Sequence, residues 1–201
     1  MGTTLLYLVR HGEQDRSPGD SGLSALGRRQ AHLLGRRVAA IPFTVIRHSP
    51  LRRAAETAQI AGGYLPAVPA ECSGLLADRT PIPPDAQLAG MPPAYQVFLD
   101  AVPDDERDPG AGHLNAAVGE LATAGAADRC ELLITHNFVI GWFVRHALDA
   151  PGWRWIGLNQ FHCALTIIEV RTGRPPMLIS FNDLGHLPVE MRGHAPVELL
   201  S

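Results

Sequence analysis

The sequence predicts an α/β fold, a three-layer sandwich with a mostly parallel central sheet and helices on both faces. Short apolar runs, typical of buried strands, alternate along the chain with segments of helical periodicity. Such alternation favours parallel strands joined by helices. The chain has 201 residues without an internal repeat, so we expect one domain covering residues 1–201.

The elements follow from local signals along the chain. Apolar runs predict strands at residues 5–9, 43–46 and 131–135, and a closing hairpin of residues 163–170 and 177–181. Apolar faces at helical spacing predict helices at residues 25–38, 50–61, 114–124 and 138–148. Ser24 and Ser49 are the predicted N-caps of the first two helices, and Pro50 fits the first helical position of the second.

One long segment, residues 77–112, lacks a regular pattern. Seven prolines interrupt it, and only a short helix near residues 94–99 is predicted there. A loop of this length inside a compact domain is usually a functional lid or wall. We therefore expect a Pro-rich insertion that shapes the mouth of a pocket.

The charged residues exclude several functions. The formal net charge is −3, so we expect neither nucleic acid nor a membrane surface as a partner. All 17 basic residues are arginine, which excludes a lysine Schiff base and the lysine of a P-loop. Arginine remains as the phosphate-binding residue, and its planar guanidinium matches two phosphate oxygens at once.

Cysteine and histidine usage indicates a reduced protein without a cofactor. The three cysteines, Cys72, Cys130 and Cys163, are far apart, and neither a CxxC pair nor a disulfide framework is visible. The apolar run at residues 5–9 is too short for a signal peptide, and no stretch approaches the roughly 20 apolar residues of a membrane span. The nine histidines show no metal-binding spacing. These features predict a cytoplasmic protein with no metal and no other cofactor.

Histidines and arginines follow the predicted strands at the point where each strand ends. Arg10 and His11 follow the first strand, His136 follows the strand at residues 131–135, and Arg53 lies in the segment after the second strand. In sheets of this class, ligands bind at the carboxyl ends of the strands. If the strands are neighbours, two guanidinium groups and two imidazoles meet there and form a site for a dianion.

The segments that carry these residues resemble the histidine phosphatase (phosphoglycerate mutase-like) superfamily. The similar segments are residues 8–13, 23–31 and 49–58, together with the later His136. A finer likeness, to the mitochondrial serine/threonine phosphatase branch, rests on residues 46–49, 72–82 and 158–159. The resemblance covers most of the chain and is weakest at residues 84–111.

The resemblance implies a role for each site residue. His11 matches the nucleophile that becomes phosphorylated, Arg10 and Arg53 match the arginines that bind the phosphoryl oxygens, and His136 matches the second histidine of the pocket. Asp78 lies where this branch has a glutamate that protonates the leaving oxygen. Ser17 is a further candidate for contact with the substrate. The implied reaction is hydrolysis of a phosphomonoester, either a phosphorylated small molecule or a phosphoprotein.

Two alternatives remain open at the level of sequence. A phosphoglycerate mutase uses the same phosphohistidine but needs extra cations for a carboxylate and a second phosphate. The 77–112 segment offers mainly Arg79 and Arg107, which favours hydrolysis. A binding or scaffold protein with little turnover is the other alternative, because Asp78 is one methylene shorter than glutamate. The sequence leaves the oligomeric state open, a dimer included.

Overall fold

A six-stranded sheet forms the centre of the computed structural model, which describes residues 2–193. The strands are β1 (Thr3–Arg10), β2 (Val45–His48), β3 (Ala70–Cys72), β4 (Thr80–Ile82), β5 (Arg107–Pro109), β6 (Arg129–Thr135), β7 (Leu165–Arg171) and β8 (Met177–Asp183). The α-helices are α1 (Ala25–Val38), α2 (Arg52–Gly62), α3 (Pro93–Asp100), α4 (Gly112–Leu121) and α5 (Asn137–Ala147). The predicted domain, residues 1–201, includes residues 1 and 194–201, which lie outside the described residues.

The strand order brings three strand ends to one edge of the sheet. The order is β3-β2-β6-β1-β7-β8, and the first four of these strands are parallel. Arg10 at the end of β1 pairs with Thr135 of β6, and His48 of β2 pairs with Ile134 of β6. The residues that follow β1, β2 and β6 therefore start from the same edge. The antiparallel strand β7 begins at that edge, because Leu165 pairs with Val9.

The sheet is covered by helices on both faces. Leu6 and Leu8 of β1 are fully buried in a cluster with Trp142 of α5, whereas Val9 is buried in a second cluster with Leu34 of α1. This alternation follows from the two-residue period of a strand. Each fully buried leucine contributes about 1.5–3 kcal/mol to folding. The predicted α/β fold with a mostly parallel sheet between helical layers is confirmed.

The starts of the first two helices differ in how well the sequence predicted them. Ser24 caps α1 as expected, because its Oγ accepts a hydrogen bond of 3.0 Å from the Gly27 N–H. The second prediction was wrong by two residues, since α2 begins at Arg52. The hydroxyl of Ser49 accepts a hydrogen bond of 3.3 Å from the Leu51 N–H and also lies 2.7 Å from Nε2 of His136, so it is engaged across the sheet edge.

The segment at residues 77–112 contains more regular structure than predicted. The short helix is confirmed as α3, and β4 and β5 form a two-stranded parallel sheet that the sequence did not indicate. Each of these strands has three residues and contains a proline, so neither shows an apolar alternation. Within residues 2–193, none of the helices combines the length and apolar character that crossing a membrane requires.

Candidate active site

His11 lies at the end of β1 with one ring nitrogen fixed and the other facing a pocket. Its side chain is 5% exposed, and Nδ1 lies 2.7 Å from the carbonyl oxygen of Gly12. A carbonyl oxygen only accepts hydrogen bonds, so Nδ1 carries the proton and the lone pair of the neutral ring is on Nε2. The Gly12 N–H donates to Oγ1 of Thr57 at 3.0 Å, which holds this carbonyl in place.

The turn after His11 and the start of α1 approach so closely that each requires a glycine at the contact. A Cβ atom at Gly12 would lie 2.6 Å from the carbonyl oxygen of Gly27, and a Cβ atom at Gly27 would overlap the carbonyl oxygen of Glu13. The start of α1 therefore packs directly against the backbone that follows the histidine. This close approach explains the glycine after His11 in the sequence.

Arg53, in the first turn of α2, joins the other site residues. Its Nε–H donates to Nε2 of His11 at 3.2 Å, and its Nη2 donates to Oδ2 of Asp78 at 2.7 Å. The same Nη2 lies 3.3 Å from Nδ1 of His136. The side chain is only 11% exposed, so the guanidinium is held between these groups.

His136 immediately precedes α5, and its side chain is almost fully buried. The ring centroids of His136 and His11 are 5.1 Å apart, so the two imidazoles lie on the same side of the molecule. Nε2 of His136 is 2.7 Å from Oγ of Ser49, and Nδ1 is 3.4 Å from Oδ2 of Asp78. The structure thus brings together the two histidines predicted from separate strand ends.

Arg10 completes the positive side of the site. Its Nη1 donates to the carbonyl oxygen of Gln160 at 2.6 Å, and its buried Nε has no partner among the described residues. Burial lowers the pKa of Arg10 to about 10, so the guanidinium remains charged at neutral pH. Nε–H is therefore a charged donor that the described part of the protein does not use.

These side chains surround a pocket of about 200 Å³. It is lined by Arg10, His11, Asp78, His136, Asn137, Phe138 and Asn159. The first residues of α5 contribute to this lining, and a helix N-terminus favours negative charge. The combination of guanidinium groups, a helix start and an unprotonated imidazole nitrogen suits a phosphoryl group.

Burial keeps the histidines of the site neutral. Desolvation lowers the pKa of His11 well below its usual 6.5, and the neighbouring His136 and Arg10 lower it further. Desolvation also lowers the pKa of His136 to about 4 and that of His162, with help from Arg10, to about 3. At neutral pH, the imidazole of His11 is therefore unprotonated at Nε2.

We expect these histidines to destabilise the fold in mild acid. The unfolded chain takes up protons on them near pH 6.5, whereas the folded protein does so only at much lower pH. Unfolding therefore becomes more favourable as the pH falls below 6.5, by up to about 1.4 kcal/mol per pH unit and histidine. Urea denaturation at pH 7, 6 and 5 measures the free energy of unfolding over this range of about two pH units. A His162→Gln variant should show a smaller pH dependence, and equal free energies of unfolding at pH 7 and 5 would contradict the prediction.

Two participants were missed by the sequence reasoning. His162 lies just before β7, and its ring centroid is 5.5 Å from that of His11. A hydrogen bond of 2.9 Å from the Cys163 N–H to the Arg10 carbonyl fixes this segment beside β1. Because β7 runs antiparallel to β1, the start of β7 lies beside the end of β1. An antiparallel pairing of these two strands was therefore the signal that could have placed His162 in the site. Ser49, the partner of His136, was assigned only as a helix cap.

Ser17 lies apart from the other predicted site residues: Arg10, His11, Asp78 and His136 line the pocket, and Arg53 bonds to three of them. The Ser17 hydroxyl donates to Oδ1 of Asp15 at 2.6 Å, and Ser17 lines a separate depression together with Arg52 and Glu56. Its contact with substrate stays a prediction. Within residues 2–193, no group of three or more His, Cys, Asp or Glu side chains is arranged to hold a metal ion. The expectation of a metal-free enzyme also stays a prediction.

Comparison with known proteins assigns the family. The model of the histidine phosphatase superfamily (branch 1) matches residues 6–80. The mitochondrial serine/threonine-protein phosphatase PGAM5 of Xenopus tropicalis is 30% identical over 197 residues, which cover 94% of this chain and 67% of the relative. The chain belongs to the histidine phosphatase superfamily. Human PGAM5 is also 30% identical, over 92% of this chain, and the chain spans 64% of its length.

Solved structures support the same fold. Bacillus stearothermophilus YhfR superimposes with a TM-score of 0.66 at 24% identity, covering 91% of this chain and 98% of that one. The alpha-ribazole phosphatase from Shigella flexneri superimposes with a TM-score of 0.68 at 16% identity, covering 89% of this chain and 96% of that one. The family model and the Xenopus tropicalis relative confirm the predicted resemblance to this superfamily.

The predicted cytoplasmic location is contradicted by the comparisons. The curated relatives from Caenorhabditis briggsae, Xenopus tropicalis and human are all named mitochondrial proteins. The prediction rested on widely spaced cysteines and on the lack of a long apolar stretch. Both features fit any compartment that keeps thiols reduced, so they could not distinguish one such compartment from another.

Proposed function

We propose that this chain is a phosphomonoester hydrolase that works through a phosphohistidine on His11, without a metal, on phosphoserine or phosphothreonine side chains. The observation that carries the proposal is the neutral imidazole of His11, with Nδ1 bonded to Gly12 and Nε2 beside the Arg53 guanidinium, in a pocket that Arg10 also lines. The substrate class is supported by the relatives, which are named serine/threonine-protein phosphatases.

In the first step, Nε2 of His11 attacks phosphorus, and the bond between phosphorus and the leaving oxygen breaks. Negative charge in this transition state is spread over the three equatorial oxygens. Arg53 turns from Nε2 and Asp78 to these oxygens, and the charged guanidinium of Arg10, which lines the pocket, stabilises their charge. One guanidinium about 4 Å from a phosphate charge contributes on the order of 4 kcal/mol before desolvation, at an effective dielectric constant of 20.

Asp78 is suited to transfer protons to the leaving oxygen and from the attacking water. Its carboxyl group lines both the phosphate pocket and a neighbouring cavity, so it lies at the boundary that the breaking bond would cross. Once Arg53 has turned to the phosphoryl oxygens, the Asp78 carboxylate takes the proton of the bound phosphate monoanion and, as an acid, passes it to the leaving oxygen. As a base, it then takes a proton from the water that attacks phosphorus, and cleavage of the phosphorus–nitrogen bond restores neutral His11.

His136 supports the same phosphoryl group through its pairing with Ser49. Nε2 of His136 shares a hydrogen bond with the Ser49 hydroxyl, and once Arg53 has turned from Nδ1 to the phosphoryl oxygens, the proton of the neutral ring can lie on Nδ1. Nδ1 is 3.4 Å from Oδ2 of Asp78 and can donate to a phosphoryl oxygen bound there. This assigns His136 a hydrogen-bonding role that requires no charge on its ring.

The surroundings of the pocket weigh against a phosphoglycerate mutase. Arg79 donates to the carbonyl oxygen of Asp105, and Arg107 donates to the carbonyl oxygens of Leu99 and Val102. Neither arginine lines the phosphate pocket or the cavity next to it. The cations that a second anionic group of the substrate would need are therefore engaged by the backbone.

A substrate panel with excess chelator tests the proposed function. We expect phosphate release from p-nitrophenyl phosphate and from a phosphoserine peptide, with kcat/KM unchanged by EDTA. We expect no interconversion of 2- and 3-phosphoglycerate. Loss of hydrolysis with EDTA and its return with a divalent cation would contradict metal independence. Interconversion without phosphate release would establish the mutase instead.

A further inference from the structure

A second cavity, of about 470 Å³, adjoins the phosphate pocket. Asp78 and Phe138 line both spaces, so one wall separates them. A substrate whose phosphoryl group lies at His11 extends its leaving group past this wall. The chemistry of the second cavity therefore bears on which phosphoesters enter the site.

Negative charge dominates this cavity. Its lining includes four carboxylates, those of Asp20, Asp78, Asp105 and Glu106, and Arg53 is the one cationic side chain among the described residues that line it. Arg53 is already paired with Asp78 at 2.7 Å. Asp105 and Glu106 form no ion pair within the described part of the chain, and both are exposed to solvent.

The cavity also offers apolar contacts and a free hydroxyl group. Leu51 and Phe138 line it, and the ring of Phe138 is held edge-on against Trp155 with centroids 4.9 Å apart. Thr80 is only 3% exposed, lines the same cavity, and has no hydrogen bond from its hydroxyl within residues 2–193. Apolar side chains next to carboxylates suit an arginine or lysine side chain, which combines an apolar stem with a charged end.

We propose that this cavity selects phosphoserine or phosphothreonine peptides in which an arginine or lysine flanks the phosphorylated residue. The proposal rests on the phosphatase function proposed above and specifies its substrate class. A basic side chain one or two positions away lies within about 7 Å of the phosphoresidue along an extended peptide. The Thr80 hydroxyl provides a hydrogen-bonding partner for the peptide backbone. An acidic residue beside the phosphoresidue would be repelled by the carboxylates of the cavity.

The test compares two phosphoserine peptides of equal length that differ only in arginine or glutamate beside the phosphoserine. We expect kcat/KM to be about tenfold higher for the arginine peptide at low ionic strength, and the difference to shrink with added salt. The double variant Asp105→Asn, Glu106→Gln should reduce this preference to about threefold or less. The matched variant Asp104→Asn, an exposed carboxylate in the same turn that does not line the cavity, should retain it.

Three outcomes would overturn the proposal. The first is equal kcat/KM for both peptides in the wild-type protein, and the second is an unchanged preference in the double variant. The third is phosphoethanolamine turnover as efficient as that of the arginine peptide, since a small amine ester would then be the occupant.

Failure of the phosphatase function itself would be recognised separately, by the absence of p-nitrophenyl phosphate hydrolysis. In that event, fluorescence anisotropy with peptides that carry a non-hydrolysable phosphonate in place of phosphoserine still tests the cavity. Tighter binding of the arginine peptide than of the glutamate peptide supports the proposal, and equal affinities overturn it.

Discussion

Replacement of His11 by alanine should lower kcat for p-nitrophenyl phosphate by about 10⁴-fold or more, the scale on which loss of a covalent nucleophile acts. His11 supplies the attacking atom. Its Nδ1 is bonded to the Gly12 carbonyl, so the lone pair that attacks phosphorus is on Nε2. Steady-state kinetics of the purified variant at neutral pH measures the effect.

The control for this variant is His32→Gln, which changes an exposed histidine on α1. It should keep the kcat of the wild-type protein. Because His11 is buried, circular dichroism and the thermal unfolding midpoint of His11→Ala establish that the variant is folded. A folded His11→Ala protein with more than a tenth of the wild-type kcat would refute the assignment of the nucleophile.

Replacement of Asp78 by asparagine should affect alkyl and aryl phosphates differently. An alkoxide is a poor leaving group, so its departure depends on proton transfer, which contributes about 10²–10⁴-fold. We expect kcat/KM for phosphoserine to fall by about 10²–10³-fold. The p-nitrophenolate group needs little protonation, so kcat/KM for its ester should fall by less than about tenfold.

The matched control for Asp78→Asn is again Asp104→Asn, which removes an exposed carboxylate from the same segment without touching the pocket. Equal losses for the two esters would show that Asp78 acts on binding and not on the leaving group. Wild-type protein that hydrolyses the aryl ester but not phosphoserine would support the scaffold alternative.

The sequence predicted those parts of the fold whose signals are local. The predicted helix at residues 25–38 and its N-cap Ser24 were correct, because the Ser24 hydroxyl bonds to a backbone N–H only three residues away. The predicted start of α2 was wrong by two residues, and the contact of Ser49 with His136, 87 residues along the chain, was not visible from local signals. The exposed strand β3 and the short strands β4 and β5 were missed, because three-residue strands carry no periodicity.

In the candidate site, too, the residues with local signals were predicted and those placed by long-range contacts were missed. His11 and His136 follow strands that are recognisable as apolar runs, so strand-end reasoning brought them together. His162 was missed because its place beside His11 depends on the antiparallel pairing of β7 with β1. The lowered pKa of His11 could not be predicted from the sequence either, because it results from burial and from the nearby His136 and Arg10.

The central claim is that the phosphoryl group passes through a covalent bond to Nε2 of His11. Phosphohistidine is labile in acid and survives in base, so the protein should be mixed with substrate, quenched in base, digested and analysed by mass spectrometry. We predict one phosphate on the peptide that contains His11, formed at a rate no slower than turnover and absent from His11→Ala. Turnover with phosphate on a different residue, or with no trapped phosphoenzyme under single-turnover conditions, would contradict the account.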